Sequence, residues 1–239
     1  MPNQMIFKRY ELKYILTRAQ QKSLLSVMQF HMHQDTFAHT LIRNIYYDTD
    51  SFLLARRSIE KPVYKEKLRV RSYTLPSPDT NIFVELKKKS ESIVYKRRIE
   101  LPYRTLCTSP IHALPSSGNA QIDREIQYFC SHYNGLHPVM FLSYERDAFA
   151  ALDDSDFRVT FDNHITARRD TLSLNSPIHG TELLPSDRVL MELKTSGGIP
   201  IWMSAFLSEE QVYRTSFSKY GTAYEHLVVN QTKGEQKYA

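Results

Sequence analysis

The stretch Tyr64–Tyr73, YKEKLRVRSY, has a cation at every second position over most of its length. Successive side chains of a β-strand point to opposite faces, so Lys65, Lys67, Arg69 and Arg71 would all lie on one face. Like charges at this spacing repel one another and destabilise the strand unless an anion lies between them. The stretch therefore predicts a strand whose charged face is either fully solvated or occupied by an anion.

The same alternation returns in six other segments. Asn81–Lys89 and Ser92–Pro102 form a predicted hairpin that repeats the cationic pattern. The residues that share the charged face are Arg9, Glu11 and Lys13 in Phe7–Leu16; Phe83, Glu85, Lys87 and Lys89; Val94, Lys96, Arg98 and Glu100; Met140, Leu142, Tyr144 and Arg146; Arg158, Thr160 and Asp162; and Arg188, Leu190, Glu192 and Lys194. Charged residues thus keep one parity from strand to strand.

Antiparallel strands with this shared parity can form an open sheet with a wet face or a barrel with a polar lumen. An open sheet would leave exposed edges and spread its cations over a surface where charges are screened over ~8 Å. Closure gives a lumen lined by arginines and lysines, with Glu11, Glu85 and Glu192 among them, and leaves the apolar side for helices to cover. The predicted fold class is therefore α+β: an antiparallel β-barrel with a polar, basic lumen and helices packed outside, in a single domain of residues 1–239.

Helix signals lie between the predicted strands. Thr17 and Gln20 have the spacing of a capping box, which predicts a helix that ends near Phe30. The residues of Asp48–Ser51 predict the N-cap of a short helix that runs to about Arg57. Further helices are predicted at Asp123–Asn134 and over Trp202–Val229, the latter broken near Arg214–Tyr220, whereas Tyr103–Gly118 is predicted to be irregular.

The histidines and cysteines do not indicate a metal centre. His31, His33 and His39 fall in a predicted loop without a cysteine or paired carboxylate of recognised geometry. Cys107 and Cys130 lack metal-ligand spacing and are too few for a disulfide framework, which predicts reduced thiols and a cytoplasmic location. The N-terminus does not resemble a signal peptide and no apolar run is long enough for a bilayer, so we expect a soluble chain with no membrane segment of its own.

The charge of the chain favours anionic partners. The formal net charge is +5 and the pI is about 9.1, which leaves nucleic acid, phosphorylated metabolites and acidic membrane surfaces all open. A cationic lumen suits a linear polyanion with a divalent cation, because Arg and Lys hold phosphate oxygens and carboxylates ligate hard metals. The alternative that Glu11 and Glu85 only neutralise neighbouring cations stays open.

A set of short motifs in a fixed order resembles a known family. The motifs are ELKY in the first strand, LRVRSY, the hairpin FVELKKK to YKRRIEL, YERDAF followed by FRVTFD, the late MELK, and FSKY near the end. Together they resemble the polyphosphate polymerase domain of the vacuolar transporter chaperone (VTC) complex, a member of the CYTH, or triphosphate tunnel metalloenzyme, superfamily. The resemblance runs from about Phe7 to Tyr224.

This resemblance implies a tunnel in which the γ-phosphate of ATP is transferred onto a growing inorganic polyphosphate chain with Mn²⁺ or Mg²⁺. ATP and polyphosphate or triphosphate would be the partners, without nucleic acid, and any membrane partner would be a separate protein.

The predicted site residues form three groups. The resemblance gives the roles of all of them except Arg98, Glu11 and Glu85, which come from the shared parity of the strands. Lys219, Ser218, Arg146 and Arg158 are predicted to be catalytic; Lys13, Arg69, Arg71, Lys87, Lys96 and Arg98 to bind phosphate; and Glu192, Glu11 and Glu85 to bind the metal.

Two positions depart from the family patterns. Arg9 stands where the tunnel hydrolases have the first glutamate of ExExK, which argues against a metal-dependent triphosphatase. Ser216 replaces the first lysine of the terminal KxSK-type motif. A tunnel-fold triphosphatase or other nucleotide-processing hydrolase, and a non-catalytic polyanion-binding module, are the alternative functions.

Overall fold

The computed structural model of the chain describes residues 10–60, 62–90, 93–153 and 155–230. These residues form ten β-strands and six α-helices. The strands are β1 (Tyr10–Thr17), β2 (Met32–Asp48), β3 (Tyr64–Ser72), β4 (Asn81–Ser90), β5 (Ile93–Pro102), β6 (His137–Ala151), β7 (Arg158–Arg168), β8 (Thr181–Glu182), β9 (Arg188–Thr195) and β10 (Arg214–Thr215). The helices are α1 (Arg18–Met28), α2 (Leu53–Glu60), α3 (Tyr103–Thr108), α4 (Ala120–His132), α5 (Ile201–Glu209) and α6 (Lys219–Tyr224), with a 3-10 turn at Ile111–Ala113 and a π-helical turn at Glu225–Val229.

The chain forms two compact units. The first unit combines the described residues up to Leu41 with Tyr144–Ile165 and Leu184–Phe217. The second unit combines Ile42–Ser143, Thr166–Leu183 and the described residues from Ser218 onward. Three strands, β2, β6 and β7, contribute residues to both units, and the hydrogen-bonded neighbours of β6 are β7 and β2. The prediction of a single domain over residues 1–239 stays a prediction.

The first unit contains the strand order β10-β1-β9-β7, and each of these pairs is antiparallel. Lys13 of β1 lies opposite Glu192 of β9, which in turn lies opposite Thr160 of β7. The residues of opposite parity pack into the core of this unit against α1 and α5. That core includes Leu16, Leu24, Met28, Val159, Phe161, Met191, Leu193, Met203 and Phe206. The predicted separation of charged and apolar parity is therefore confirmed in these strands.

The second unit contains the antiparallel order β2-β3-β4-β5, with β8 paired to the part of β7 that belongs to this unit. Leu68, Val70, Val84, Leu86 and Ile99 turn away from the charged parity and are buried. Residues of α4 pack against them, which places this helix on the apolar side of the sheet. The shielding of that side by a helix is what allows the opposite side to be polar.

The predicted fold class is confirmed as an antiparallel α+β fold with helices on the apolar side. Within residues 10–60, 62–90, 93–153 and 155–230, β10 has β1 as its neighbour and β5 has β4. Both are edge strands in that part of the chain, so backbone hydrogen bonds there do not complete a ring. Phe7–Arg9 and Ser92, which the sequence placed at the starts of two strands, lie outside the described residues.

The helix caps formed where the sequence predicted them. The Thr17 side chain accepts a hydrogen bond from the Gln20 backbone at 3.1 Å, and the Gln20 side chain accepts from the Thr17 backbone at 2.9 Å. Asp48 accepts from the backbone N–H groups of Leu54 and Ala55 at 2.9 and 2.8 Å, so it caps α2. Each carboxylate or hydroxyl satisfies a backbone donor that the first turn of a helix leaves free.

Two segments that were predicted to be irregular form a strand and a helix instead. His33 and His39, predicted to lie in a loop, belong to β2. This part of β2 shows no alternation of polar and apolar residues, and it forms a strand by pairing with β6. His39 Nδ1 lies 2.8 Å from Asp147 Oδ1 of β6, a carboxylate 108 positions away in the chain that could not be predicted as its partner. Tyr103–Thr108 forms α3 directly after Pro102, within a segment predicted to be irregular.

Candidate functional site

Lysines and arginines of the second unit form rows directly across three strands. Lys67 of β3 lies opposite Lys87 of β4, which lies opposite Lys96 of β5. Two residues further along, Arg69 lies opposite Glu85, which lies opposite Arg98. Residues directly opposite one another share a face and have Cβ atoms about 4.5 to 5.5 Å apart. This face therefore concentrates cations around one carboxylate.

Glu85 is the centre of this arrangement, and its side chain is only 1% exposed. It accepts hydrogen bonds from Arg69 Nε at 2.9 Å and Arg98 Nε at 2.8 Å, and Lys96 Nζ lies 2.7 Å away. Arg71 Nε is 3.8 Å away. We call Glu85 with Arg69, Arg71, Lys96 and Arg98 the Glu85 cluster. Four cations around one carboxylate leave three positive charges in excess, which favours an anion beside them.

The electrostatics of the Glu85 cluster keep its carboxylate ionised. Burial alone would raise the pKa of Glu85, but Arg69, Arg71, Lys96 and Arg98 outweigh burial and hold the pKa well below its ordinary range. A buried carboxylate in this state acts as a fixed counterion for the guanidinium groups. The cluster can therefore stay assembled without a bound anion and still have a net positive charge.

Neighbouring polar groups hold the guanidinium groups of the cluster in place. Arg69 donates to the Tyr46 hydroxyl at 3.1 Å, and Arg71 donates to Asn44 Oδ1 at 2.9 Å. Arg98 donates to the Tyr73 hydroxyl at 2.7 Å. Long side chains that are already ordered lose less entropy when they bind a ligand. Asn44 and Tyr46 were not among the predicted site residues, although both occupy the polar parity of β2 opposite Arg71 and Arg69.

We expect tripolyphosphate to stabilise the native protein through the cationic rows. At ~100 times its dissociation constant a ligand of the native state adds about 2.7 kcal/mol, which for a chain of this length raises the melting temperature by about 5 to 11 °C. Monophosphate should need far higher concentrations, because only a chain contacts several cations without separate association costs. Thermal melts in both anions measure the difference.

Lys87 and Lys88 supply a matched pair of variants for these melts. Lys87 lies in the lysine row, whereas Lys88 points to the other face and contacts Glu125 at 3.3 Å. Lys87→Ala should reduce the shift that tripolyphosphate produces, and Lys88→Ala should retain it. Equal reductions in both variants would show that the melting-temperature shift depends on the net charge of the protein and not on the lysine row.

Ser218 and Lys219 lie at the start of α6 in the second unit. Ser218 Oγ accepts from the Gly221 backbone N–H at 3.1 Å and from Lys67 Nζ at 3.1 Å. Lys219, the first residue of the helix, is 9% exposed. The lysine row therefore contacts the terminal motif directly, through Lys67 and Ser218.

A second charged cluster lies in the first unit around Glu192. Arg146 binds Asp162 through two hydrogen bonds of 2.6 and 2.7 Å and also reaches Glu192 at 3.2 Å. Lys13 Nζ lies 3.5 Å from Glu192 and 3.5 Å from Glu11. We call Glu11, Lys13, Arg146, Asp162 and Glu192 the Glu192 cluster. Burial opposes the charge of Arg146, but Asp162 and Glu192 outweigh it and raise the pKa of the guanidinium.

The remaining predicted residues occupy different surroundings. Arg158 lies at the exposed start of β7, opposite Lys194, and contacts Asp35 at 3.5 Å. Lys13 also donates to the backbone carbonyl of Phe217 at 3.0 Å, next to the terminal motif in sequence. Arg158 lies two residues from Thr160, which is the direct partner of Glu192. Its ion pair is with Asp35, which is not a member of the Glu192 cluster.

The predicted metal ligands do not form a preassembled cage. In the part of the chain that the structure describes, no group of three or more histidine, cysteine, aspartate or glutamate side chains is placed to hold a metal ion. Glu11 and Glu192 nevertheless contact the same ammonium group of Lys13. Two carboxylates with phosphate oxygens are a ligand set that Mg²⁺ commonly uses, so the residues present fit a metal that arrives with a phosphate.

A comparison with protein families decides the classification. The family model of the VTC domain matches residues 8–228, nearly the whole chain. The chain belongs to the VTC domain family. The predicted resemblance to this family is thus confirmed.

Two solved structures resemble this VTC domain, and the first of them shares its fold. A candidate adenylate cyclase from Bacillus halodurans is 15% identical, with a TM-score of 0.53 over 88% of this chain and 93% of that protein. A candidate adenylyl cyclase from Hippeastrum, described as having a dominant triphosphatase activity, is 14% identical, with a TM-score of 0.49 over 92% of this chain and 97% of that one. A search of curated proteins found no match. The described part of the VTC domain contains no helix long and apolar enough to cross a membrane.

Proposed function

We propose that this VTC domain protein is a metal-dependent polyphosphate polymerase that transfers the γ-phosphate of ATP onto a growing inorganic polyphosphate chain. The observation that carries the proposal is the Glu85 cluster, in which ordered arginines and a lysine surround a buried counterion and keep an excess of positive charge. A linear polyanion matches that row of charges better than a compact anion does.

The chemistry demands no nucleophilic side chain from the protein. A terminal phosphate oxygen of the acceptor chain forms the new bond to the γ-phosphorus, and the bond from that phosphorus to the β,γ-bridging oxygen breaks. ADP leaves with the electron pair of the broken bond. Phosphoryl transfer of this kind depends on in-line positioning and on neutralising the equatorial oxygens. Basic side chains in fixed positions supply both.

The proposed roles divide between holding the chain and acting on the transferring group. Arg69, Arg71, Lys96 and Arg98 hold phosphates of the chain, and Lys87 extends their row. Both lone pairs of Ser218 Oγ accept hydrogen bonds, from Lys67 and Gly221, so its hydrogen is available to a phosphate oxygen. Ser218 and Lys219 then orient the transferring phosphate. Lys13, Arg146 and Arg158 supply further phosphate contacts.

A divalent metal is assigned to Glu192 and Glu11. When bound, Mn²⁺ or Mg²⁺ supplies positive charge that neutralises phosphate oxygens. Glu192 is held by Arg146 and Lys13, and this fixes its carboxylate in place. Glu85, which was also predicted to bind the metal, is proposed to serve as the counterion of its own cluster. Arginines and a lysine lie 2.7 to 2.9 Å from its oxygens, whereas the cations around Glu192 lie 3.2 to 3.9 Å from that carboxylate.

Incubation of the purified protein with ATP and Mn²⁺ tests this function. Polyphosphate that accumulates together with ADP supports the polymerase. Release of free phosphate without polymer would instead establish a hydrolase, and unchanged ATP with retained tripolyphosphate binding would establish a binding module. Omitting Mn²⁺ and then restoring Mn²⁺ or Mg²⁺ shows which metal supports turnover.

A polymerase of this kind should recognise a defined set of ligands. Its partners are ATP and inorganic polyphosphate or triphosphate, and nucleic acid should not compete with tripolyphosphate at equal phosphate concentration. A cytoplasmic location and a separate membrane partner remain predictions.

A further inference from the structure

The carboxylate of Asp48 lies at a buried junction between two helices and a strand of the second unit. Asp48 is fully buried at the end of β2. Its Oδ1 accepts from the backbone of Leu54 at 2.9 Å, and its Oδ2 accepts from the backbone of Ala55 at 2.8 Å. The same Oδ2 accepts from the Tyr220 hydroxyl at 2.6 Å. One side chain thus caps α2 and binds the second residue of α6.

Tyr220 is fixed at its ring as well as at its hydroxyl. The ring stacks on Tyr46, with centroids 4.4 Å apart and planes inclined by 4°. The Tyr46 hydroxyl in turn accepts from Arg69 of the Glu85 cluster. Burial raises the pKa of Tyr46, but the positive charges of Arg69, Arg71 and Lys219 outweigh burial and lower the pKa.

The first turn of α6 also fits closely against α2. A Cβ atom at Gly221 would approach Ile59 Cγ1 to 3.1 Å and Ser218 Oγ to 3.2 Å. A larger residue at position 221 would therefore push α6 away from α2 or displace Ser218. The start of α6 is restrained by the Asp48 hydrogen bond, the stacked rings and this close contact.

We propose that Asp48 and Tyr220 are positioning residues that set where Ser218 and Lys219 meet the transferring phosphate. This inference rests on the proposed polymerase function. A hydrogen bond from a buried phenol to a carboxylate is directional, whereas an apolar contact would allow α6 to rotate or slide. Tyr220 directly follows the Ser218-Lys219 pair, so a shift of its hydroxyl moves both side chains together.

The variant that isolates this role is Tyr220→Phe, which removes the hydroxyl and retains the stacked ring. A misplacement of about 1 Å can lower turnover substantially, so we expect kcat to fall by about tenfold or more. The KM for ATP should change by less than about twofold, because the phosphate-holding groups of the Glu85 cluster are retained. Asp48→Asn should give the same separation of kcat from KM.

Tyr133→Phe is the matched control. Tyr133 is also a buried tyrosine, and its hydroxyl donates to a carboxylate, Glu66, at 3.0 Å. Glu66 lies on the opposite parity of β3 from Lys67 and Arg69. The control should lower the melting temperature by an amount similar to Tyr220→Phe but leave kcat unchanged. An equal fall of kcat in both variants would reduce the role of Tyr220 to general stability and overturn the proposal.

A second readout tests the placement of Lys219 without any turnover. Lys219 is 9% exposed, so an amine-acylating reagent should label it slowly in the native protein. Labelling followed by mass spectrometry should be several-fold faster in Tyr220→Phe and unchanged in Tyr133→Phe. If the wild-type protein makes no polymer, the proposed function fails but this labelling still decides the placement. Unchanged labelling in Tyr220→Phe would overturn the inference whatever the activity.

Discussion

Glu85→Gln should lower the free energy of unfolding by about 3 to 5 kcal/mol, the usual cost of removing one partner from a buried ion pair. The carboxylate is 1% exposed and lies among four cations. Glutamine fills the same volume but leaves Arg69, Arg71, Lys96 and Arg98 without their counterion. At roughly 2 to 4 °C per kcal/mol, the melting temperature should fall by about 6 to 20 °C.

Tripolyphosphate should recover much of this loss, because it supplies negative charge to the same cations. The melting-temperature shift that it produces should be larger in Glu85→Gln than in the wild type. If the variant folds only with the ligand, circular dichroism should show it folding as tripolyphosphate is added. Glu125→Gln is the control: its carboxylate contacts Lys88 and Arg97 on the other face and is 24% exposed. Such pairs contribute about 0 to 1 kcal/mol. Equal stability of the two variants would contradict the counterion role.

The lowered pKa of Glu85 determines how its contribution to the free energy of unfolding changes with pH. A carboxylate whose pKa is lowered in the folded state binds fewer protons there than in the unfolded chain. Its stabilisation is therefore complete above the ordinary glutamate pKa and is lost only as the pH falls toward the lowered value. The difference in melting temperature between wild type and Glu85→Gln should be constant near neutral pH and shrink in acid.

The faces of the strands could be predicted from the sequence because side-chain direction has a period of two residues. Lys67 and Arg69 share a face in the structure, and Leu68 and Val70 are buried on the other, as YKEKLRVRSY indicates. Side-chain direction along a strand depends only on local geometry. The same periodicity correctly places Glu85 and Arg98 on the shared parity of β4 and β5.

The partners of those side chains could not be predicted, because they depend on strand order and register. Arg69 meets Tyr46 of β2 only because the Tyr46 position lies opposite it, and nothing local in either segment fixes that register. Whether Glu85 binds a metal or neutralises neighbouring cations could not be predicted for the same reason, since both roles require the same face of the strand. The segment with His33 and His39 was predicted to be a loop because its own residues do not alternate between polar and apolar. The strand forms there through pairing with β6.

The junction around Asp48 shows the same limit at longer range. The DTDS sequence correctly predicted a helix cap, since capping is a local interaction. The hydrogen bond to Tyr220 joins residues 172 positions apart, and only the folded chain brings them together. The positioning proposed for Ser218 and Lys219 therefore depends on a contact between two distant segments, which no single motif contains.

Glu192→Gln should lower metal-dependent turnover by about 10² to 10³-fold, the effect expected when one preorganised electrostatic group is lost from a transfer site. The amide is a weaker ligand for a hard cation than the carboxylate, so Mn²⁺ should bind at least about tenfold more weakly in the presence of tripolyphosphate. Electron paramagnetic resonance titration of Mn²⁺ measures that affinity independently of activity. The variant should fold, because Arg146 keeps its two hydrogen bonds to Asp162.

Tripolyphosphate binding measured without metal distinguishes the loss of a metal-binding carboxylate from damage to the phosphate-binding residues. Replacing Glu192 removes a negative charge beside Lys13 and Arg146, so metal-free affinity for the polyanion should be unchanged or higher. Glu125→Gln again serves as the control, since it removes a carboxylate that contacts neither residue and should alter neither turnover nor Mn²⁺ affinity. If Glu192→Gln turned over ATP at the wild-type rate and bound Mn²⁺ normally, Glu192 would not be a metal ligand, and the metal would have to bind through the phosphates and other carboxylates.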